Sequence, residues 1–88
     1  MNYKYRVRLR VRLAVSRFLK REMLEQEMTA KWLAYKMTEV CGVTVSQSAI
    51  YTWQRGEVMP GADKILAMAE IFEASTDEIL GAYDEDVE

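Results

Sequence analysis

The chain lacks histidine and contains one cysteine, Cys41. Because imidazole is absent, histidine-ligated metal sites and histidine-based acid–base catalysis are excluded. A lone thiol cannot form an internal disulfide. The sequence has neither a signal-peptide pattern nor an apolar run of the roughly 18 residues that a membrane span needs. We therefore expect a cytoplasmic protein that does not contact a membrane.

The sequence also lacks the groups of residues on which enzymes depend. It contains no phosphate-binding loop, no nucleophile beside a base and no pair of carboxylates beyond those expected on a surface. We therefore expect no enzymatic activity, no metal, no cofactor and no small-molecule ligand. What remains is an 88-residue chain, 50% hydrophobic and 30% charged, which is typical of one small globular domain.

The net charge of −2 conceals a strong asymmetry along the chain. Residues 1–36 contain ten Lys and Arg against three Glu, a net charge of +7, whereas residues 37–88 contain two against eleven Asp and Glu, a net charge of −9. A cationic region of this kind favours an anionic partner. The alternative is that the two halves of the chain neutralise each other within the fold.

From Leu13 onward, apolar residues recur at helical spacing and predict five short helices. The first helix should end near Gln26, and the last begins with the capping-box pattern "STDE". Residues that favour helix starts and helix ends stand at the expected places between the apolar stretches. The predicted N-caps are Thr29, Ser46 and Ser75, and the predicted terminators are Gly42, Gly56 and Gly81.

Residues 3–13 have a different pattern, because basic and apolar residues alternate in "YKYRVRLRVRL". As a β-strand they would place every basic side chain on one face, and an unpaired strand would seek the same segment of a second subunit. The alternation favours this strand, and with it a homodimer. Two alternatives stay open, an extension of the first helix and a disordered basic arm. The basic side chains of this DNA-binding or dimer-forming arm, residues 1–12, include Arg6, Arg8, Arg10 and Arg12.

Four segments follow one another in a recognisable order: "MTAKWLA" from residue 28, "VSQSAIYTWQRGEVMP" from 45, "LAMAEIF" from 66 and "STDEILG" from 75. Together, with the spacing Trp-x-x-Gly-x-x-x-Pro, they resemble the lambda-repressor-like, Cro-type (XRE) helix-turn-helix family over about residues 13–81. The resemblance implies an all-α, five-helix bundle, encoded by a bacterium or a phage, whose third helix reads the major groove of double-stranded DNA. Residues 82–88 form an acidic tail beyond this domain.

The third helix, about residues 47–55, carries the chemistry that such reading requires. Small or planar polar side chains near its beginning can reach base edges, while Ile50 and Trp53 face inward. Basic side chains, capping hydroxyls and nearby amides can contact phosphates. The predicted base readers are Gln47, Ser48, Tyr51 and Thr52, and the predicted phosphate contacts are Thr29, Lys31, Ser46, Arg55 and Lys64.

Three features depart from the family pattern. Ala30 stands where the family often has a phosphate-binding glutamine. The connection over residues 35–45 is several residues longer than usual, so either helix 2 is extended or the turn becomes a loop. Trp32 takes a place that is normally polar, where it is either covered by the longer connection or in contact with a partner.

These observations predict a sequence-specific DNA-binding transcriptional regulator of the repressor type, acting as a homodimer. The alternative from another class is a protein-interaction module, such as an antitoxin or an adaptor with the same fold.

Overall fold

The computed structural model describes the backbone of residues 3–82 and the side chains of residues 6–82. Over this range the regular secondary structure is entirely helical, with no strand. None of the described helices has both the length and the apolarity that crossing a bilayer would demand. The elements are α1 (Tyr3–Glu25), α2 (Ala30–Tyr35), a π-helical turn (Lys36–Val40), α3 (Gln47–Gln54), α4 (Ala62–Phe72) and α5 (Thr76–Leu80).

One hydrophobic core joins the five helices. Helix α1 packs against α3 and α5, while α4 packs against α5 and the π-helical turn. The rings of Phe18 on α1 and Phe72 on α4 meet edge to face, with centroids 5.5 Å apart. Each fully buried aliphatic side chain contributes about 1.5–3 kcal/mol of transfer free energy. The core side chains with no exposed surface include Val15, Leu19, Leu33, Ile50, Met68 and Ile79.

The strand predicted for residues 3–13 is wrong, because these residues form the first turns of α1. Arginine and leucine have high helix propensities, and no described strand is available to pair with this segment. Tertiary contacts also hold this part of the helix, since Val11 packs against the core and Arg12 Nη1 donates to the carbonyl oxygen of Glu57. The helix extension is therefore confirmed, and the predicted boundary after residue 12 falls inside α1.

The predicted helix starts are confirmed by hydrogen bonds. Thr29 Oγ1 accepts from the amide of Trp32 at 3.0 Å, and Ser46 Oγ accepts from that of Ala49 at 3.1 Å. Ser75 Oγ likewise accepts from the amide of Glu78 at 3.1 Å. The capping box is only half formed, because the Glu78 carboxylate accepts from Arg21 Nη2 at 3.3 Å.

The long connection between α2 and α3 takes both forms that the sequence allowed. Helix α2 continues into the π-helical turn, and Gly42 then leaves the helix with a φ of +72°. The hydroxyl of Thr38 holds the returning chain, since it accepts from the amide of Val45 at 3.1 Å and donates to the carbonyl oxygen of Val45 at 3.3 Å. Val45 immediately precedes the N-cap of α3, so this bridge ties the start of α3 to the end of the α2 segment.

Candidate nucleic-acid interface

Helix α3 presents one buried face and one exposed face, as the sequence predicts. Ile50 has no exposed surface and Trp53 is 4% exposed, and both belong to the core cluster. Gln47 and Ser48 are exposed in the first turn, and Tyr51 is 46% exposed one turn further on. The buried pair anchors the helix, so these three polar side chains extend from a rigid support that also packs against α2.

Thr52, the fourth predicted base reader, differs from the other three. It is half-buried, and its hydroxyl donates to the carbonyl oxygen of Ala49 at 2.6 Å. A hydroxyl group has one hydrogen to donate, so within this geometry Thr52 offers a base only an oxygen lone pair and a methyl group.

Two of the predicted phosphate contacts are already paired with carboxylates. Arg55 is exposed, and its Nε and Nη2 atoms donate to the Glu57 carboxylate at 2.9 and 3.2 Å. This hydrogen bonding raises the pKa of Arg55 and lowers the pKa of Glu57. Lys64 Nζ lies 3.2 Å from the Asp63 carboxylate and, by hydrogen bonding, lowers the pKa of that group. Both cations would have to exchange these partners for a phosphate.

The remaining predicted phosphate contacts lie at the starts of α2 and α3. Thr29 and Ser46 are exposed N-caps whose oxygens accept from amides within their own first turns. Each hydroxyl keeps its hydrogen available for an external acceptor. Lys31 is exposed in the first turn of α2.

The arginines of residues 6–12 do not form the single basic face that a strand would give. Arg8 and Arg10 are exposed, while Arg6 and Arg12 are half-buried. Arg12 Nη1 donates to the carbonyl oxygen of Glu57 at 3.4 Å, so α1 contacts the chain that follows α3. Arg12 Nε is buried and has no acceptor in the described part of the protein.

The basic and acidic halves of the chain contact each other through an ion pair between α1 and α5. Arg21 on α1 pairs with Glu78 on α5 at 3.3 Å, and Arg21 also pairs with its neighbour Glu22. The acidic tail predicted for residues 82–88 lies outside the described residues except for Ala82.

An exposed aromatic pair on α2 is a surface feature that was not predicted as a unit from the sequence. Trp32 is 49% exposed, so the longer connection does not cover it, and the prediction that it does is wrong. Its ring stacks on that of Tyr35 with centroids 5.3 Å apart, and Lys36 Nζ lies 5.6 Å from the indole centroid. The signal was present in the i, i+3 and i, i+4 spacing of these residues, which places them side by side on a helix.

Comparison with protein-family models, with curated proteins and with solved structures finds no match to this chain.

Proposed function

We propose that this protein is a sequence-specific double-stranded DNA-binding regulator with a lambda-repressor-like helix-turn-helix fold. The observation that carries the proposal is the arrangement of α3. Its buried face is anchored in the core by Ile50 and Trp53, and its first turns expose Gln47, Ser48 and Tyr51. A reading helix needs this combination, because base edges lie deep in the major groove and are read by side chains near the helix N-terminus.

The individual side chains suit different parts of the recognition. Gln47 can pair bidentately with adenine, and Ser48 can donate to or accept from several bases. Lys31 and the free hydroxyl hydrogens of Thr29 and Ser46 can position the protein on phosphate oxygens, contacts that supply affinity without sequence information.

Repression by such a protein follows from occupancy of an operator, and a homodimer would read two half-sites one helical turn apart. The helical conformation of residues 3–12 removes the strand pairing from which the dimer was first predicted. We retain the homodimer as a proposal, to be tested by sedimentation equilibrium with and without a selected duplex. A monomer in both conditions would refute it.

The DNA-binding proposal is tested by selecting bound sequences from random duplexes and measuring affinity by fluorescence anisotropy. In the double variant Gln47→Ala with Ser48→Ala, the preference for the selected site over random duplex should fall about 5- to 150-fold, because one good base contact is worth about 1–3 kcal/mol of discrimination. The control is Gln26→Ala, which truncates an exposed glutamine at the end of α1 and should leave the preference unchanged.

Retention of the full preference by the double variant would refute reading by α3. Absence of any duplex binding by the wild-type protein, even at low salt, would refute the function itself, because phosphate contacts alone produce measurable affinity under those conditions.

The exposed Trp32–Tyr35 pair favours a second candidate, a protein-interaction module such as an antitoxin or adaptor. Aromatic residues are enriched at the centres of protein interfaces, and an exposed stacked pair supplies a ready contact surface. Under this alternative, Trp32→Ala would abolish binding to the protein partner and the wild-type chain would show no sequence preference on DNA.

A further inference from the structure

Helix α1 is nearly as long as the longest dimension of the protein. Its 23 residues span about 34 Å at 1.5 Å per residue, whereas the molecule measures 39 × 21 × 18 Å along its principal axes. Along α1, the described side chains become fully buried only from Ala14 onward. Residues 3–12, which we name the overhang, therefore precede the buried part of the helix, and Val11 near their end packs against the edge of the core.

The two faces of the overhang differ in what lies beneath them. Arg8 and Arg12 are one turn apart, on the continuation of the stripe formed by Val15 and Leu19, which have no exposed surface. Further along α1 this stripe faces the core, whereas in the overhang it carries Arg8 and Arg12, and we call it the arginine face there. Arg10 is two residues from each of these arginines and lies on the opposite side of the helix.

The loop between α3 and α4 contacts α1 at the Arg12 end of this face. Gly56 approaches α1 so closely that an added Cβ would stand 3.5 Å from Leu13 Cδ2. The next residue, Glu57, accepts from Arg12 Nη1 through its carbonyl oxygen, and Arg55 is at the C-terminal end of α3. We name the cationic corner the surface defined by residues 55–57, by Arg12, which contacts them, and by Arg8 one turn before Arg12 on α1.

The arginines of the cationic corner are not saturated by the described residues. Arg12 Nη1 has a long contact of 3.4 Å, and the buried Nε of Arg12 lacks an acceptor in that part of the chain. Arg8 is exposed, and the carboxylate of Glu57 is engaged with Arg55. Arginine presents five donors in a planar fork, which matches the oxygens of a phosphate group.

We propose that the cationic corner binds a phosphodiester strand of duplex DNA next to the groove that α3 enters. This inference rests on the proposed function, because α3 brings the duplex to the corner. Arg8 then neutralises a phosphate beyond those reached from α2 and α3, and the overhang lengthens the footprint along one strand. A continuous polyanion satisfies both arginines at once, whereas an isolated carboxylate pairs with one.

The experiment compares Arg8→Gln with Arg10→Gln, two exposed arginines on the same helix that differ only in the face they occupy. Fluorescence anisotropy measures the affinity for the selected duplex at salt concentrations from about 0.05 to about 0.3 M, a range that includes physiological ionic strength. We expect Arg8→Gln to reduce the slope of log affinity against log salt by about 0.9, one phosphate contact, which corresponds to about eight-fold weaker binding at 0.1 M salt. Arg10→Gln should change the slope by less than about a third of that amount, because its charge lies across a helix roughly 10 Å wide.

Each outcome decides between the two proposals. Equal slopes for both variants, or no change with Arg8→Gln, would overturn the cationic corner while sequence selection by the wild-type protein keeps the regulator function. A reduced slope with Arg8→Gln, together with unchanged sequence preference in the Gln47 and Ser48 variant, would support the corner and overturn base reading. If the wild-type protein binds no duplex, both proposals fail. Thermal melting of each variant within about 2 °C of wild type confirms that the fold is unchanged.

Discussion

Replacement of Thr38 by valine tests how the long connection positions α3. Valine keeps the shape of the side chain and removes the hydroxyl that bridges the amide and the carbonyl oxygen of Val45. Val45 is 9% exposed and the bridge itself is partly buried, so water replaces the lost hydroxyl only in part. The substitution therefore isolates the hydrogen bonds from the packing.

The magnitude follows from the two contacts. A buried donor left without a partner costs about 1–3 kcal/mol, and we place this one at the lower end because the site is only partly buried. The expected loss is about 1.5 kcal/mol, which for a domain of this size lowers Tm by about 6–12 °C. DNA affinity should fall as well, because the N-cap of α3 follows Val45 directly.

Differential scanning calorimetry and urea unfolding measure the effect, with Thr44→Val as the control. Thr44 is exposed on the same connection, so its replacement should change the free energy of unfolding by less than about 0.5 kcal/mol. If Thr38→Val and Thr44→Val were equally stable, the bridge would not be what holds the connection, and the reasoning would be refuted.

Four further predictions concern α3 and its surroundings. Ile50→Ala should destabilise the fold by about 2–5 kcal/mol in urea unfolding because Ile50 is fully buried, whereas Gln47→Ala should stay within about 0.5 kcal/mol. Glu57→Gln should release Arg55 for phosphate contact and steepen the salt slope of DNA binding by up to about 0.9; an unchanged slope would show that the ion pair does not compete with DNA. The pKa of Glu57 is lowered in the folded protein, so the ionised carboxylate stabilises the fold above the ordinary pKa of 4.5, and this contribution is lost as pH falls through the lower folded pKa. In a series of unfolding measurements at decreasing pH, the Glu57→Gln variant should lack this contribution. Gly42→Ala should cost about 1–2 kcal/mol in thermal unfolding, because φ is +72° while the space around it is open, and a neutral result would mean that the turn relaxes.

The sequence was most informative where structure depends on neighbouring residues. An N-cap requires only a hydroxyl and the amides of the next turn, and Thr29, Ser46 and Ser75 all form the predicted bonds. The reciprocal half of the capping box failed because Arg21, which is distant in sequence, offers Glu78 a charged partner. A local pattern could not reveal that competitor.

The candidate site was predictable to a similar extent. The periodicity of α3 correctly separated the buried Ile50 and Trp53 from the exposed Gln47 and Ser48. It could not show that the Thr52 hydroxyl is occupied by a backbone carbonyl, nor that Arg55 is paired with Glu57. Both facts depend on side-chain conformations that a residue pattern does not specify.

By itself, the sequence determined the all-helical core from Leu13 onward, because apolar spacing and capping residues act within one or two turns. Only the tertiary structure decided the conformation of residues 3–12. Alternation of arginine with valine and leucine is compatible with both a strand and a helix, and a strand needs hydrogen-bonding partners from elsewhere. In this protein residues 3–12 instead continue α1, and the α3–α4 loop contacts this segment at Arg12. The arginines that would have lined one face of a strand are therefore distributed around the helix.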